Sequence, residues 1–209
     1  MPQAPDSITR NHPALSTVCV YMGSSPGSRP EYAAAAQLLG RKIAQQNLQL
    51  IYGGGSVGLM GITADAALSA GGRVIGVITD ALQNMEVGHD GLSELAVVSG
   101  MHERKALMAA RADAFVALPG GYGTMDEFFE IITWAQLGIH GKPCGLLNIE
   151  GYFDKLIDFM NHAVTERFVH SDHQNNLIVA NAPEELLTSF SAYYHNPPAS
   201  AQKWLDNNR

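Results

Sequence analysis

The sequence of 209 residues is poor in cysteine and contains no long apolar run. Its two cysteines, Cys19 and Cys144, each lie inside a short apolar segment, which predicts two reduced, buried thiols in a cytoplasmic protein. No segment approaches the roughly 20 apolar residues of a membrane span, and the polar leader lacks the apolar core of a signal peptide. His170 and His173 have no further ligands nearby in the sequence. We therefore expect them on the surface and predict neither a metal nor a cofactor.

Basic residues are also few, with 13 Lys and Arg against 20 Asp and Glu and a net charge of −7. A chain this acidic is a poor candidate for binding nucleic acid through the electrostatic field of its net charge. A few local hydrogen-bond donors are nevertheless enough to bind a small anion. The hydrophobic share of 46% against 16% charged residues excludes a disordered chain. We predict one domain over residues 16–192, preceded by a flexible leader at 1–15 and followed by an irregular tail at 193–209.

Short apolar segments alternate with segments of helical periodicity along most of the chain. This β-α order, with strands that are apolar on both faces, predicts an α/β fold with a doubly wound parallel sheet and helices on both faces. Such sheets bind ligands at the carboxyl ends of their strands. Three loops rich in glycine or serine, GSSPGS, GGGSVGLMG and PGGYGT, follow predicted strands and therefore mark that edge as the site.

The loop at residues 53–58 matches G-x-G-x-x-G, which makes a dinucleotide site one alternative. Three features disfavour it. The motif follows the second predicted strand, Asp80 lies in a predicted turn instead of ending a strand, and the chain is short for a dehydrogenase. The other alternative is a tight turn, which explains one or two glycines more easily than a run of three.

The loop at residues 119–124 follows a strand and opens a helix that carries Asp126, Glu127 and Glu130. Its glycines let a ligand approach the backbone closely, and the free N–H groups of a helix N-terminus favour an anion such as phosphate. Thr124 and Glu127 also fit a capping box, which is the structural alternative. A cap alone does not require Gly-Gly-x-Gly before it.

The two carboxylates Glu127 and Glu130 are three residues apart, so they lie on one face of this helix. Their expected basic partners are Arg104 and Lys105, near the start of the preceding helix. Basic residues in a first turn oppose the helix dipole, which points to a role toward a ligand.

The segments M-x-x-R-K (residues 101–105) and P-G-G-x-G-T-x-x-E (residues 119–127) together resemble the LONELY GUY family. Its members are cytokinin riboside 5′-monophosphate phosphoribohydrolases, often mislabelled lysine decarboxylases. The similarity extends over residues 18–180 and includes GGGSVGLMG and the segment around Glu86. The amino-acid sequence of that segment is closer to bacterial members of the family than to plant members. Met22 departs from the family, where cysteine is expected. Nothing in the sequence marks a lysine that would hold pyridoxal phosphate.

The resemblance implies a Rossmann-like fold, a homodimer and hydrolysis of AMP or N6-prenyl-AMP to a free base and ribose 5-phosphate. It implies that Glu127 and Arg104 form the catalytic pair. The substrate-binding positions that it implies are Glu86, Lys105, Gly120, Gly121, Tyr122, Gly123, Thr124 and Thr133. Four further substrate-binding candidates follow from their place in the loops and on the helix: Ser24, Gly54, Gly55 and Glu130.

The expected chemistry accounts for carboxylates beside a phosphate, because glycosidic cleavage develops positive charge on the sugar. An ionised Glu127 would stabilise that charge and deprotonate water, while Arg104 would clamp the phosphate or the ribose hydroxyls. Asp126, Glu130 and water are the candidates for protonating the leaving base. The alternative function is a non-catalytic carrier of a nucleotide or pterin-type cofactor, which would not need Glu127 paired with Arg104.

Overall fold

The computed structural model describes residues 15–85, 88–174 and 177–196. Within these residues, seven parallel strands form one sheet in the order β4-β3-β2-β1-β5-β6-β7. The strands are β1 (Thr17–Tyr21), β2 (Gln49–Tyr52), β3 (Val74–Thr79), β4 (Glu94–Val98), β5 (Ala114–Ala117), β6 (Cys144–Leu147) and β7 (Leu177–Ala180). The strand order reverses between β1 and β5, so the predicted doubly wound, Rossmann-like α/β fold is confirmed.

Helices connect the strands and cover both faces of the sheet. They are α1 (Pro30–Gln45), α2 (Gly58–Ser69), α3 (Asp80–Met85), α4 (Met101–Arg111), α5 (Tyr122–Gln136), α6 (Asp154–Thr165), α7 (Ser171–Gln174) and α8 (Pro183–His195). A short 3₁₀ turn spans Ile149–Gly151. Asp80 was expected in a turn, but it begins α3, and α8 continues to His195 within the segment predicted to be irregular.

The core consists of two apolar layers, one on each face of the sheet. Side chains alternate along a strand, so Val18 and Val20 of β1 pack under α1, α2 and α8, while Cys19 and Tyr21 pack under α4 and α5. Both cysteines are free and buried, as predicted, and burial raises the pKa of each thiol. Every residue of β1, β3 and β5 is buried, which explains why these strands read as continuous apolar runs.

The loops at the carboxyl ends of β1, β2 and β5 meet at one edge of the sheet. The backbone N–H of Gly23 donates to the carbonyl of Pro119, and the N–H of Leu59 donates to the carbonyl of Gly23, both over 3.1 Å. These bonds join the three loops that the sequence marked, so the fold assembles one continuous site from them.

No helix in the described part of the chain is both long enough and apolar enough to cross a membrane. The same residues contain no group of three or more His, Cys, Asp or Glu side chains placed to hold a metal ion. His170 is exposed, as expected, whereas His173 is half-buried in α7.

Candidate active site

Arg104 is held beneath the loops by three hydrogen bonds to the protein. Its Nε donates to the carbonyl of Val77 over 2.9 Å, and its Nη2 donates to the carbonyl of Gly53 over 3.3 Å. Its Nη1 donates to Oε1 of Glu127 over 2.8 Å. Arg104 is only 7% exposed, so the basic first turn of α4 points inward and does not form a solvated surface.

Glu127 is the buried partner of Arg104 on α5. The residue is 9% exposed, and burial raises the pKa of its carboxyl group, an effect that the charge of Arg104 partly offsets. Asp126 and Lys105 act on the same pKa in opposite directions and to a smaller extent. The site therefore holds one nearly dry carboxyl group whose proton affinity is above the ordinary value and whose orientation is fixed by a guanidinium group.

Lys105 forms a second ionic group on the outer side of this pair. Its Nζ lies 3.1 Å from Oδ2 of Asp126 and 3.2 Å from Oε2 of Glu130. Partial burial acts to lower the pKa of Lys105, but its hydrogen bonds to the two carboxylates outweigh that effect and raise it. Both basic residues singled out in the sequence thus pair with the carboxylates of α5.

The helix after the third loop begins earlier than the sequence indicated. Gly121 is the N-cap residue of α5, no side chain caps the helix, and Thr124 is already its third residue. The capping box of Thr124 and Glu127, which was the structural alternative, does not form, because Thr124 lies inside the helix and Glu127 is bound by Arg104. The first-turn N–H groups of α5 are left without a side-chain cap at the edge where a ligand would approach.

The carbonyl groups of the triglycine loop at residues 53–55 all accept hydrogen bonds. The Gly53 carbonyl accepts from Arg104, the Gly54 carbonyl from the N–H of His89, and the Gly55 carbonyl from the hydroxyl of Tyr52. A Cβ at residue 53 would collide with Nη2 of Arg104. Close approach of Arg104 accounts for Gly53, and the left-handed backbone of Gly54, with φ of 80°, accounts for the second glycine of the run.

A short segment at residues 88–91 packs against the triglycine loop and forms backbone contacts with it. Gly88 and Gly55 form an isolated antiparallel bridge, and Nε2 of His89 lies 2.9 Å from Oδ1 of Asp65 on α2. Sequence reasoning missed His89 and Asp65, because no spacing rule joins residues 24 positions apart on different elements.

The remaining predicted site residues are distributed around this centre. Ser24 is exposed and, with Gly120 and Gly121, lines a cavity of about 320 Å³ at the ends of β1 and β5. Tyr122 is the first residue of α5 and is 97% exposed. Thr133 is exposed on α5 six residues beyond Glu127, about 9 Å along the helix axis, so the structure does not bring these two together. Glu86 lies outside the described residues.

Comparison with known proteins identifies the family. The family model described as possible lysine decarboxylase matches residues 60–190. A cytokinin riboside 5′-monophosphate phosphoribohydrolase of Arabidopsis thaliana is 45% identical over 189 residues, which cover 90% of this chain and 89% of that relative. The chain belongs to the LONELY GUY family. A second LONELY GUY enzyme, from Oryza sativa subsp. japonica, is 48% identical over 84% of this chain and 73% of its own length.

Solved structures share the fold of this LONELY GUY chain at lower identity. The molybdenum cofactor binding protein of Rippkaea orientalis has a TM-score of 0.64 at 24% identity and covers 85% of this chain and 98% of its own. A molybdenum cofactor carrier protein of Chlamydomonas reinhardtii has a TM-score of 0.62 at 21% identity and covers 84% and 94%. Likeness at this level extends to the fold alone. The carrier alternative therefore gains no functional support from it.

Proposed function

We propose that this chain hydrolyses the N-glycosidic bond of adenosine 5′-monophosphate and its N6-modified forms, releasing the base and ribose 5-phosphate. The observation that carries the proposal is the buried Arg104–Glu127 pair beside the uncapped N-terminus of α5. The names of its relatives in Arabidopsis thaliana and Oryza sativa support the same reaction. A carrier would have no use for a buried carboxylate at this position.

The phosphate group of the substrate binds at the glycine loop that opens α5. Backbone N–H groups in the first turn of a helix attract an anion through direct hydrogen bonds and through the helix dipole. Gly121 and Gly123 carry no side chains that would block this approach, and a Cβ at either position would meet open space. The loop thus anchors the end of the substrate that does not react.

Glu127 acts on the ribose carbon that bears the base. Water adds to this carbon while the bond to the base nitrogen breaks, and the electron pair of that bond leaves with the base. The base takes up a proton from Asp126, Glu130 or a second water, so that the net reaction consumes one water. Glu127 accepts the proton lost by the water, and its negative charge stabilises the positive charge that develops on the sugar. Burial strengthens this electrostatic effect, because water does not screen it.

Arg104 acts through Glu127 as a positioning residue. Three of its five N–H donors are already engaged by Val77, Gly53 and Glu127, which leaves two for the expected clamp on phosphate or ribose. Its guanidinium group acts to lower the pKa of the Glu127 carboxyl group and so opposes the burial that raises this pKa. It also fixes which carboxylate oxygen is free to face the substrate.

The test is a chromatographic assay of purified protein with AMP, N6-isopentenyl-AMP and the two corresponding nucleosides. We expect free base from both monophosphates and much less from the nucleosides, because the nucleosides lack the phosphate anchor. The ratio of the two monophosphate rates gives the base preference. Nucleotide binding without release of base from any substrate would contradict the proposal and favour the carrier.

A further inference from the structure

Tyr152 contacts the glycine loop of the candidate site from a distant part of the sequence. Its hydroxyl donates a hydrogen bond of 2.6 Å to the carbonyl oxygen of Gly120. Nothing in the motifs or in the proposed reaction assigns a role to this residue. The contact joins the end of β6 to the end of β5 at the edge of the sheet where the phosphate would bind.

The chain adopts an unusual turn to place this tyrosine. Glu150 and Gly151 are both left-handed, with φ of 51° and 69°, and the conformation is unfavourable for the glutamate. The buried Asn148 holds the turn, since its carboxamide oxygen accepts from the N–H of Phe153 and its amide nitrogen donates to Asp154. A strained turn that is this well supported points to a role for the side chain that it projects.

The tyrosine ring is held by its aromatic neighbours. It meets Tyr32 edge-on with 5.6 Å between ring centroids and Phe153 at 4.9 Å, and Phe153 is itself buried. Tyr32 and Tyr152 form one wall of the cavity that Gly120 and Gly121 also line. The Tyr152 residue is 42% exposed, and these two ring contacts orient its hydroxyl toward Gly120.

We propose that Tyr152 is a positioning residue for the phosphate subsite. The carbonyl of Gly120 and the N–H of Gly121 belong to one planar trans peptide unit and point in opposite directions. Fixing the carbonyl toward Tyr152 therefore fixes the N–H of Gly121 toward the opposite side, at the N-cap of α5. This inference rests on the proposed function for the identity of the anion, whereas the positioning itself rests on the contact.

Tyr152→Phe tests the proposal, because it removes the hydroxyl and keeps the ring. Tyr193→Phe is the matched control, since the Tyr193 hydroxyl also donates to a loop glycine carbonyl, that of Gly141, over 3.1 Å and outside the candidate site. We would measure kcat and KM with AMP and with adenosine. We would also measure the Kd for ribose 5-phosphate by calorimetry and the Tm of both variants.

We expect Tyr152→Phe to raise the KM for AMP and the Kd for ribose 5-phosphate by a common factor of about threefold to tenfold. The kcat should stay within about twofold, because the phosphate is bound equally in the ground and transition states. The kcat and KM of Tyr152→Phe with adenosine should equal those of the unmodified protein. Tyr193→Phe should have the kcat, KM and Kd of the unmodified protein. The proposal would be overturned if the two variants changed the KM for AMP and the Kd for ribose 5-phosphate equally, or if Tyr152→Phe changed the KM for AMP and for adenosine equally.

Failure of the proposed function would leave a different pattern. If the unmodified protein releases no base from AMP, but Tyr152→Phe still weakens the binding of ribose 5-phosphate relative to Tyr193→Phe, then the reaction is wrong and the positioning role stands. If the unmodified protein hydrolyses AMP and Tyr152→Phe leaves the Kd unchanged, the reaction stands and the positioning role is wrong.

Discussion

The Glu127 carboxyl group is subject to two opposing effects. Burial raises its pKa, the adjacent Arg104 guanidinium group acts to lower it, and the net direction is upward from the ordinary 4.5. A carboxylate with a raised pKa is a stronger base than an ordinary one, provided that the pH is high enough to keep it ionised. The same residue therefore gains basicity and becomes sensitive to mild acid.

We predict that kcat/KM for AMP falls as the pH is lowered through the raised pKa of Glu127. Protonation of Glu127 removes both the general base and the negative charge. The decrease in kcat/KM should therefore fit the titration of a single proton, with a midpoint above pH 4.5. Activity measured across the acid range with AMP and with adenosine, in buffers of constant ionic strength, checks this, because adenosine has no phosphate group that titrates in this range. Glu184→Gln, which alters an exposed glutamate paired with Lys42, should keep the same profile. A midpoint at or below 4.5 would contradict the assignment.

The sequence indicated most of the residues at the centre of the site, because short-range motifs carry them. M-x-x-R-K places Arg104 and Lys105 on one helix, and the spacing of three residues places Glu127 and Glu130 on one face of another. Tyr152 was not predictable in this way. Its partner Gly120 is 32 residues away, and only the parallel pairing of β5 with β6, which places their carboxyl ends side by side, brings the two residues together.

At the level of secondary structure, the position of Arg104 depends on how closely α4 approaches the end of β2. The Arg104 side chain donates to the carbonyl of Gly53, just after β2, and to the carbonyl of Val77 within β3. Only a glycine at residue 53 leaves room for the guanidinium group, because a Cβ there would overlap Nη2. The triglycine loop thus supports the catalytic geometry by making space for a neighbouring helix.

We predict that Gly53→Ala displaces Arg104 and lowers turnover of AMP by about 100-fold, since small misplacements of catalytic groups have effects of this size. Overpacking should also lower the free energy of unfolding by about 1–3 kcal/mol. Gly100→Ala is the control, because Gly100 has an extended backbone with φ of −159° and a Cβ there would meet no atom within 4 Å. Kinetics and urea denaturation of both variants check the prediction. Similar results for the two would show that space at residue 53 is unimportant.

The longer helices were predictable from their periodicity, and the short ones were not. The sequence pattern predicts helices over residues 101–111 and 124–137. The observed bounds of α4 agree at Met101 and Arg111, and α5 begins two residues earlier than predicted. The six residues of α3 and the four of α7 complete too few turns to show a hydrophobic stripe. The start of α5 was misplaced because T-x-x-E also occurs within helices, and the conformation of Gly121 decided where this one begins.

At the scale of the whole molecule, several large apolar side chains remain outside the core. Leu137 and Ile139 are exposed at the end of α5, and Phe159 on α6 and Phe168 after it are also exposed, Phe168 by 84%. Scattered exposed apolar residues are normal, but these four all belong to the segment that runs from the end of α5 to just beyond α6. They are candidates for contacts with a second copy of the chain.

We predict a homodimer, as the family resemblance implies. Size-exclusion chromatography with light scattering at micromolar concentration should give twice the 22.4 kDa of one chain. Phe159→Glu should shift the species toward the single-chain mass, because a buried charge at an interface is unfavourable. A species of 22.4 kDa for the unmodified protein would contradict the prediction.

The central claim is that Glu127 performs the chemistry of base release, and its most direct test is the turnover of AMP by Glu127→Gln. Glutamine keeps the shape and an oxygen that can accept from Arg104, but it can neither take a proton nor carry a negative charge. We expect bound AMP, a folded protein and a turnover lower by about 10²–10⁴-fold than that of the unmodified enzyme. A Glu127→Gln variant that releases adenine at the unmodified rate would contradict the account.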